Sequence, residues 1–215
     1  MGKIVLATII ISGSAKWLLK VGGNKEKWYG SDRIFMYVMT VFGAMAVNYS
    51  EQCTEYGWVV SNLRLLAGCL LAGGLLSAAY MDRRNCWVYN YVWWWCLPWA
   101  GILGLTAGGG FHGIVAVLVF VMLQQLLFSR MYGKADCHAF SVCALAECGN
   151  AVGMVGFLLQ MFLSVVLLTI VQLFLGNVTP RGRLREPQPF IPYIITAFFS
   201  VTFLESVFRT TYIYA

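Results

Sequence analysis

The sequence has little charge. Asp, Glu, Lys and Arg make up 11% of its 215 residues, less than half of the roughly 25% found in soluble domains. So few charges cannot solvate a water-facing surface, which excludes a soluble enzyme, a disordered regulator, a collagen and a nucleic-acid module. A disulfide framework is missing as well. The seven cysteines are odd in number, most lie inside apolar runs, and no two have C-x-x-C spacing. They read as small apolar packing residues rather than as metal or redox ligands. Internal repeats of the kind that build transporters are also lacking.

What is there is apolar surface. The chain is 60% hydrophobic, with a mean hydropathy of +0.72. A bilayer crossing takes roughly 20 residues, so the length accommodates several helices with short loops and no separate soluble domain. Residues 34–50, 65–81, 85–129, 148–180 and 187–204 contain no Asp, Glu, Lys or Arg. The run 85–129 is too long for one crossing, and Gly108-Gly109-Gly110 divides it. Residues 4–15 are extended by Lys16, whose long stem reaches a headgroup. The reading is an all-α polytopic membrane protein with eight helices, at about 4–21, 34–49, 63–81, 88–106, 112–129, 134–149, 151–175 and 190–208. Residues 1–62 hold two N-terminal helices, and residues 63–215 a six-helix core.

The basic residues orient this layout. With alternating crossings, twelve of the fifteen Lys and Arg residues fall on one side, and Lys3, Arg64 and Arg209 on the other. The rich side is the cytoplasmic one, and both termini lie outside. The charges follow the first apolar run instead of preceding it, so residues 4–21 read as a retained span and not as a cleaved signal.

Ionisable groups at membrane depth are functional candidates. Here they are Asp82, Asp136, His138, Glu147 and Glu205, with His112 at a boundary. Asp82 ends a helix that runs inward, and Asp136 begins one that runs outward, so both belong to the cytoplasmic face. Two carboxyls on one face suit peptide hydrolysis. The ionised one takes a proton from water, and the protonated one polarises the scissile carbonyl. Like-charge repulsion makes such a pair share a proton and titrate as a unit. The competing reading is a pair of solvated residues at helix ends, Asp136 favouring the dipole of its own helix. The Trp93-Trp94-Trp95 cluster, with Trp87 and Trp99, reads as an interfacial anchor. Gly68, Gly73 and Gly74 read as close-packing positions. Gln124, Gln125, Gln160 and Gln172 read as interior hydrogen-bonding partners.

The local sequences add a resemblance. Asp82-Arg83-Arg84 is followed by Val88-Tyr89-Asn90, with Asn90 eight positions after Asp82. Gly133-Lys134-Ala135-Asp136-Cys137-His138 surrounds the second acid, and Pro189-Phe190-Ile191-Pro192 opens the last helix after a basic loop. These three segments resemble the motifs of the type IV prepilin peptidases, membrane aspartyl proteases with a Gly-x-Gly-Asp signature. The resemblance covers about residues 63–208. Three positions depart from the pattern: Tyr89 stands for Pro, Ala135 for the second Gly and His138 for Lys. His138 is two residues from Asp136, which on a helix puts the side chains on different faces.

The resemblance implies an aspartic endopeptidase that cuts the leader of type IV pilin-like precursors at the cytoplasmic face of a prokaryotic cell membrane. Asp82 and Asp136 would be catalytic. Asn90 would orient the first acid or its loop, and the small Gly133 and Ala135 would admit the substrate strand. Pro189, Phe190 and Pro192 complete the motif set. Many members of that family carry a zinc-binding loop with paired C-x-x-C motifs, associated with N-methylation. The corresponding loop here, about residues 22–33, is short and has no Cys, so neither methyltransferase activity nor structural zinc is expected, and no cofactor. The expected partners are the precursor and the bilayer, without nucleic acid. The alternatives are a proton-coupled small transporter or channel, and a catalytically inactive assembly subunit.

Overall fold

A computed structural model describes residues 2–23, 30–52, 57–107, 110–130, 132–148, 153–175 and 188–213. Among these residues every element is helical. The helices are α1 (Gly2–Val21), α2 (Gly30–Gln52), α3 (Trp58–Asn85), α4 (Asn90–Thr106), α5 (Gly110–Leu126), α6 (Lys134–Glu147), α7 (Gly153–Phe174) and α8 (Ile191–Ile213), with a short 3-10 turn at Phe128–Arg130. Five stretches are long and apolar enough to cross a membrane: Gly2–Val21, Trp58–Asn85, Gly113–Arg130, Val155–Phe174 and Ile191–Phe208. Several expectations lie outside the described residues: Lys25 and Lys27, Cys53, Gly108-Gly109, and the basic segment around Arg181, Arg183 and Arg185.

The distribution of polarity suits an apolar surrounding. Leu118, Met122, Leu126, Leu158 and Phe162 are exposed on α5 and α7, whereas Gln124, Gln160, Ser164 and Gln172 are buried. Large apolar side chains outside and polar ones inside are the pattern of helices that pack by close contact rather than by hiding from water, although among the described residues the Gln160 amide has no hydrogen-bond partner and Gln124 donates only to Met161 Sδ at 3.9 Å. Gln125 joins this set: its Nε2 lies 3.3 Å from His138 Nδ1 and 3.5 Å from Ser141 Oγ.

Helix α3 is the hub. It packs against α1, α2, α4 and α8, and its buried length is built mostly from Ala, Gly, Leu, Cys and Ser. Its glycines face three different neighbours. A Cβ on Gly68 would meet Val47 of α2 at 2.8 Å, one on Gly73 would strike Ser14 of α1, and one on Gly74 would meet Cys96 of α4 at 2.5 Å. Missing side chains on three faces are what let three helices approach one axis. The first two helices share one apolar cluster with the rest, through Ala7, Ile11, Met36 and Met39. The remaining helices continue from this hub: α6 packs against α4, α5, α7 and α8, and α7 and α2 pack against α8.

Three boundaries differ from the sequence reading, with consequences for the site. Helix α3 starts at Trp58 instead of about 63, so Arg64 is buried within it. It also runs past Met81, so Asp82, Arg83 and Arg84 are helical. Helix α2 starts at Gly30, which puts Asp32 in its first turn. The tryptophan cluster divides. Trp87 and Trp94 are exposed, while Trp93 is buried beside His138, with ring centroids 6.0 Å apart. Trp95 Nε1 donates to the Leu70 carbonyl at 3.3 Å. Successive helical residues turn by about 100°, so three adjacent tryptophans cannot all face lipid.

Candidate functional site

Asp82 lies in the last turn of α3 and is 6% exposed. The helix stops just after it because Cys86 takes a left-handed conformation (φ 49°, ψ 32°), and its N–H closes onto the Asp82 carbonyl at 2.8 Å. A left-handed residue is a common way to end a helix, although glycine fills that place more easily. The Asp82 carboxyl reaches across the bundle to α8. Its Oδ2 accepts a hydrogen bond from Ile191 N–H at 2.9 Å, over 109 residues of sequence, and the Phe190 backbone adds a second contact. Ile191 is the first residue of α8, whose opening N–H groups have no partner within the helix. Asp82 therefore caps α8 and sits at the positive end of its dipole.

Asp136 is arranged in the same way at its own helix. Gly133 precedes α6 in an extended conformation, and its N–H donates to Asp136 Oδ2 at 3.1 Å. This is the carboxylate half of a capping box. A Cβ on Gly133 would lie 3.2 Å from that oxygen, so glycine keeps the contact free. Ala135 is in ordinary helix, and Cys86 is the one non-glycine residue with positive φ among those described. The extra methyl at 135 therefore carries no conformational cost, and it packs on the core.

The two carboxyls lie within electrostatic reach of each other. They are 54 residues apart in sequence, yet the charge of Asp82 acts directly on Asp136. The third segment holds them there. Phe190 is buried, with its ring centroid 5.9 Å from Tyr132 and 5.9 Å from Phe140. This fastens the entry of α8 onto α6 while Ile191 N–H engages Asp82 on α3. Pro192 occupies the second position of α8, within the first turn, where proline is tolerated. Pro189 stands just before the helix, half-buried.

Two further expected residues make no contact with the acids among the described residues. Asn90 is exposed in the first turn of α4, and among the described residues it makes no hydrogen bond to Asp82. His138 faces Gln125 and Trp93, as its two-residue offset from Asp136 requires.

One residue was not anticipated. Asp32, in the first turn of α2, pairs with both arginines that follow Asp82: Arg83 Nε lies 3.4 Å from Oδ1 and Arg84 Nε 3.7 Å from Oδ2. Arg83 also lies over the Phe35 ring, 5.0 Å from its centroid, and Arg84 donates to Tyr80 OH at 3.3 Å. These contacts draw both guanidinium groups toward α2. The signal for Asp32 was its place at the start of a helix entered from a basic loop.

The arrangement has two interacting carboxyls, each at a helix N-terminus, next to apolar and aromatic side chains. Two carboxyls that act on each other in this way titrate at different pH values, so that one can be ionised while the other is protonated, as proton transfer to and from a bound water requires. Among the described residues, no three His, Cys, Asp or Glu side chains cluster to hold a metal ion. No family model, no curated protein and no solved structure matches the chain.

Proposed function

We propose that the protein is a membrane-embedded aspartic endopeptidase that removes the short leader from type IV pilin-like precursors, without N-methyltransferase activity. The observation that carries this reading is the meeting of three sequence-distant segments. Asp82, Asp136 and the Phe190-Ile191-Pro192 entry of α8 lie together, and these same segments carry the resemblance to the prepilin peptidases. A chain using the acids only as helix caps would not need the two caps to interact.

In the proposed reaction the ionised carboxyl takes a proton from water as the water oxygen bonds to the scissile carbonyl carbon. The protonated carboxyl donates to the carbonyl oxygen. Collapse of the tetrahedral intermediate breaks the C–N bond, and the leaving nitrogen takes a proton from the pair. The substrate strand must be extended, because a helix occupies its carbonyls with internal hydrogen bonds. Gly133, whose Cβ position is open except toward Asp136, leaves room for that strand.

The proposed topology has eight crossings, both termini outside, and the Asp82–Asp136 face in the cytoplasm, on the excess of Lys and Arg at that face. At 17 and 14 residues, α4 and α6 fall below the usual spanning length. They cross only within the bundle, shielded by their neighbours. The test is incubation of the purified chain in detergent with a leader-bearing precursor. The wild type is expected to release the leader and the Asp136→Asn variant to leave the precursor intact. A wild type that never cleaves is the inactive assembly subunit instead.

A further inference from the structure

A second polar site lies at the far end of the bundle. Arg64 of α3 and Glu147 of α6 line one cavity of about 40 Å³, together with Ser50 of α2, Leu103 of α4, and Phe199 and Thr202 of α8. Glu147 is 11 residues beyond Asp136, about 16 Å along α6 at 1.5 Å per residue. The cavity is therefore separate from the aspartate pair.

The carboxyl here is in an unusual state. Glu147 is 5% exposed, and neither of its oxygens has a hydrogen-bond partner among the described residues. A buried carboxyl without a partner is strongly unfavourable in either protonation state. The guanidinium lining the same cavity is committed in part to α4: Arg64 Nη1 donates to the Leu103 carbonyl at 3.0 Å and to Thr106 Oγ1 at 2.9 Å. Glu205 of α8 acts electrostatically on Glu147. Among the described residues the titratable or charged groups around Glu147 are thus Arg64 from α3, Glu205 from α8, and the Cys143 thiol on its own helix.

We propose that Glu147 and this cavity form a binding site for a single small positive charge, a proton or an alkali-metal ion, at the end of the bundle opposite Asp82 and Asp136. Size limits the guest. A water needs about 10–15 Å³ of such volume, so the cavity holds about three or four water-sized bodies and excludes a larger organic amine. Ser50 offers its hydroxyl from the cavity wall, whereas the Thr202 hydroxyl donates to the Phe198 carbonyl at 2.8 Å and keeps only its oxygen lone pairs for a guest. The site does not depend on the peptidase reading.

The test uses the full chain in lipid nanodiscs, in an Asp82→Asn/Asp136→Asn background that removes titration of the aspartate pair. Melting temperature is followed as choline chloride is replaced by sodium or potassium chloride at constant ionic strength, over a series of pH values. A saturating guest, at about a hundredfold excess over its Kd, is expected to raise the melting temperature by about 5 °C or more. A rise specific to one alkali ion and absent in Glu147→Gln identifies a metal-ion site. A rise on acidification, absent in Glu147→Gln and indifferent to the salt, identifies a proton site. Equal responses in the background protein and Glu147→Gln overturn the proposal. If Glu147→Gln does not fold, Glu147→Asp is read instead: the shorter carboxyl is expected to shift the midpoint of the response by about tenfold or more, and an unchanged midpoint overturns the proposal.

Discussion

The Asp82–Ile191 hydrogen bond makes the most specific structural prediction. Replacing Asp82 with alanine removes the acceptor and leaves the first N–H of α8 buried without a partner. A hydrogen bond to a carboxylate contributes about 1.5–3 kcal/mol, and the charge at the helix N-terminus adds about 0.3–1 kcal/mol. Together these give about 2–4 kcal/mol for docking the start of α8. Since 1.4 kcal/mol is tenfold in an equilibrium, local opening should rise by about 30- to 1000-fold. Asparagine keeps an oxygen acceptor in place and loses the charge, so Asp82→Asn should raise opening by about tenfold or less. The assay is amide hydrogen exchange in detergent or nanodiscs, read on a peptide covering residues 188–195. The prediction has an internal control, because Phe190 stays packed between Tyr132 and Phe140 in both variants. Exchange in Asp82→Ala within about twofold of wild type would refute the capping role, and with it the reason the three segments stay together.

Other outcomes follow from the packing. Gly73→Val places a branched side chain against Ser14 of α1 and should destabilise the fold by about 1–3 kcal/mol, seen as a lower melting temperature; the same change at Gly13, which has open space around it, should cost less. Cys86 is exposed, Cys148 half-buried, and Cys69, Cys96, Cys137 and Cys143 are buried, so in a Cys53→Ser/Cys148→Ser variant an impermeant maleimide should label chiefly Cys86 and, on the proposed topology, only from the cytoplasmic side. Its thiol is pushed above the ordinary value by partial desolvation and then by the Asp82 charge, so labelling should be slow at neutral pH, accelerate as pH rises, and become faster in Asp82→Asn; an unchanged rate in that variant would contradict the influence of Asp82 on this thiol. Asp32→Asn breaks a pair in which Arg83 is 40% exposed. Solvent screening holds the expected stability loss to about 1 kcal/mol or less, and a loss above about 3 kcal/mol in the melting assay would show that Asp32 does more than neutralise the two arginines.

The helical class, and the eight α-helices among the described residues, were legible because long apolar runs uninterrupted by charge satisfy their backbone most readily as helices. The helix ends were not. Arg64 reads in sequence as a charge at the very start of its helix, yet α3 begins six residues earlier at Trp58, since a guanidinium bonded to a carbonyl and a threonine is tolerated inside a bundle. Asp82 and Asp136 were singled out from sequence by their expected shared face and their local motifs, and the structure puts the charge of Asp82 within reach of Asp136. The partner of Asp82 was not, because its bond runs to the backbone of Ile191, and a backbone N–H leaves no trace in residue identity. Asn90 was assigned by resemblance the role of orienting the first acid or its loop; the bond from Ile191 N–H to Asp82 is a second restraint on that carboxyl. The Asp32–arginine contacts escaped for a different reason: they depend on how α2 packs beside the end of α3, and no periodicity encodes that packing.

The most direct test of the central claim is a double-mutant cycle on leader cleavage by the purified protein, with Asp82→Asn, Asp136→Asn and the two combined. Groups that share one proton and one water act as a unit, so each single variant should lose about as much rate as the double. A single variant that still cleaves at the wild-type rate, or losses that multiply as they do for independent residues, would contradict the account.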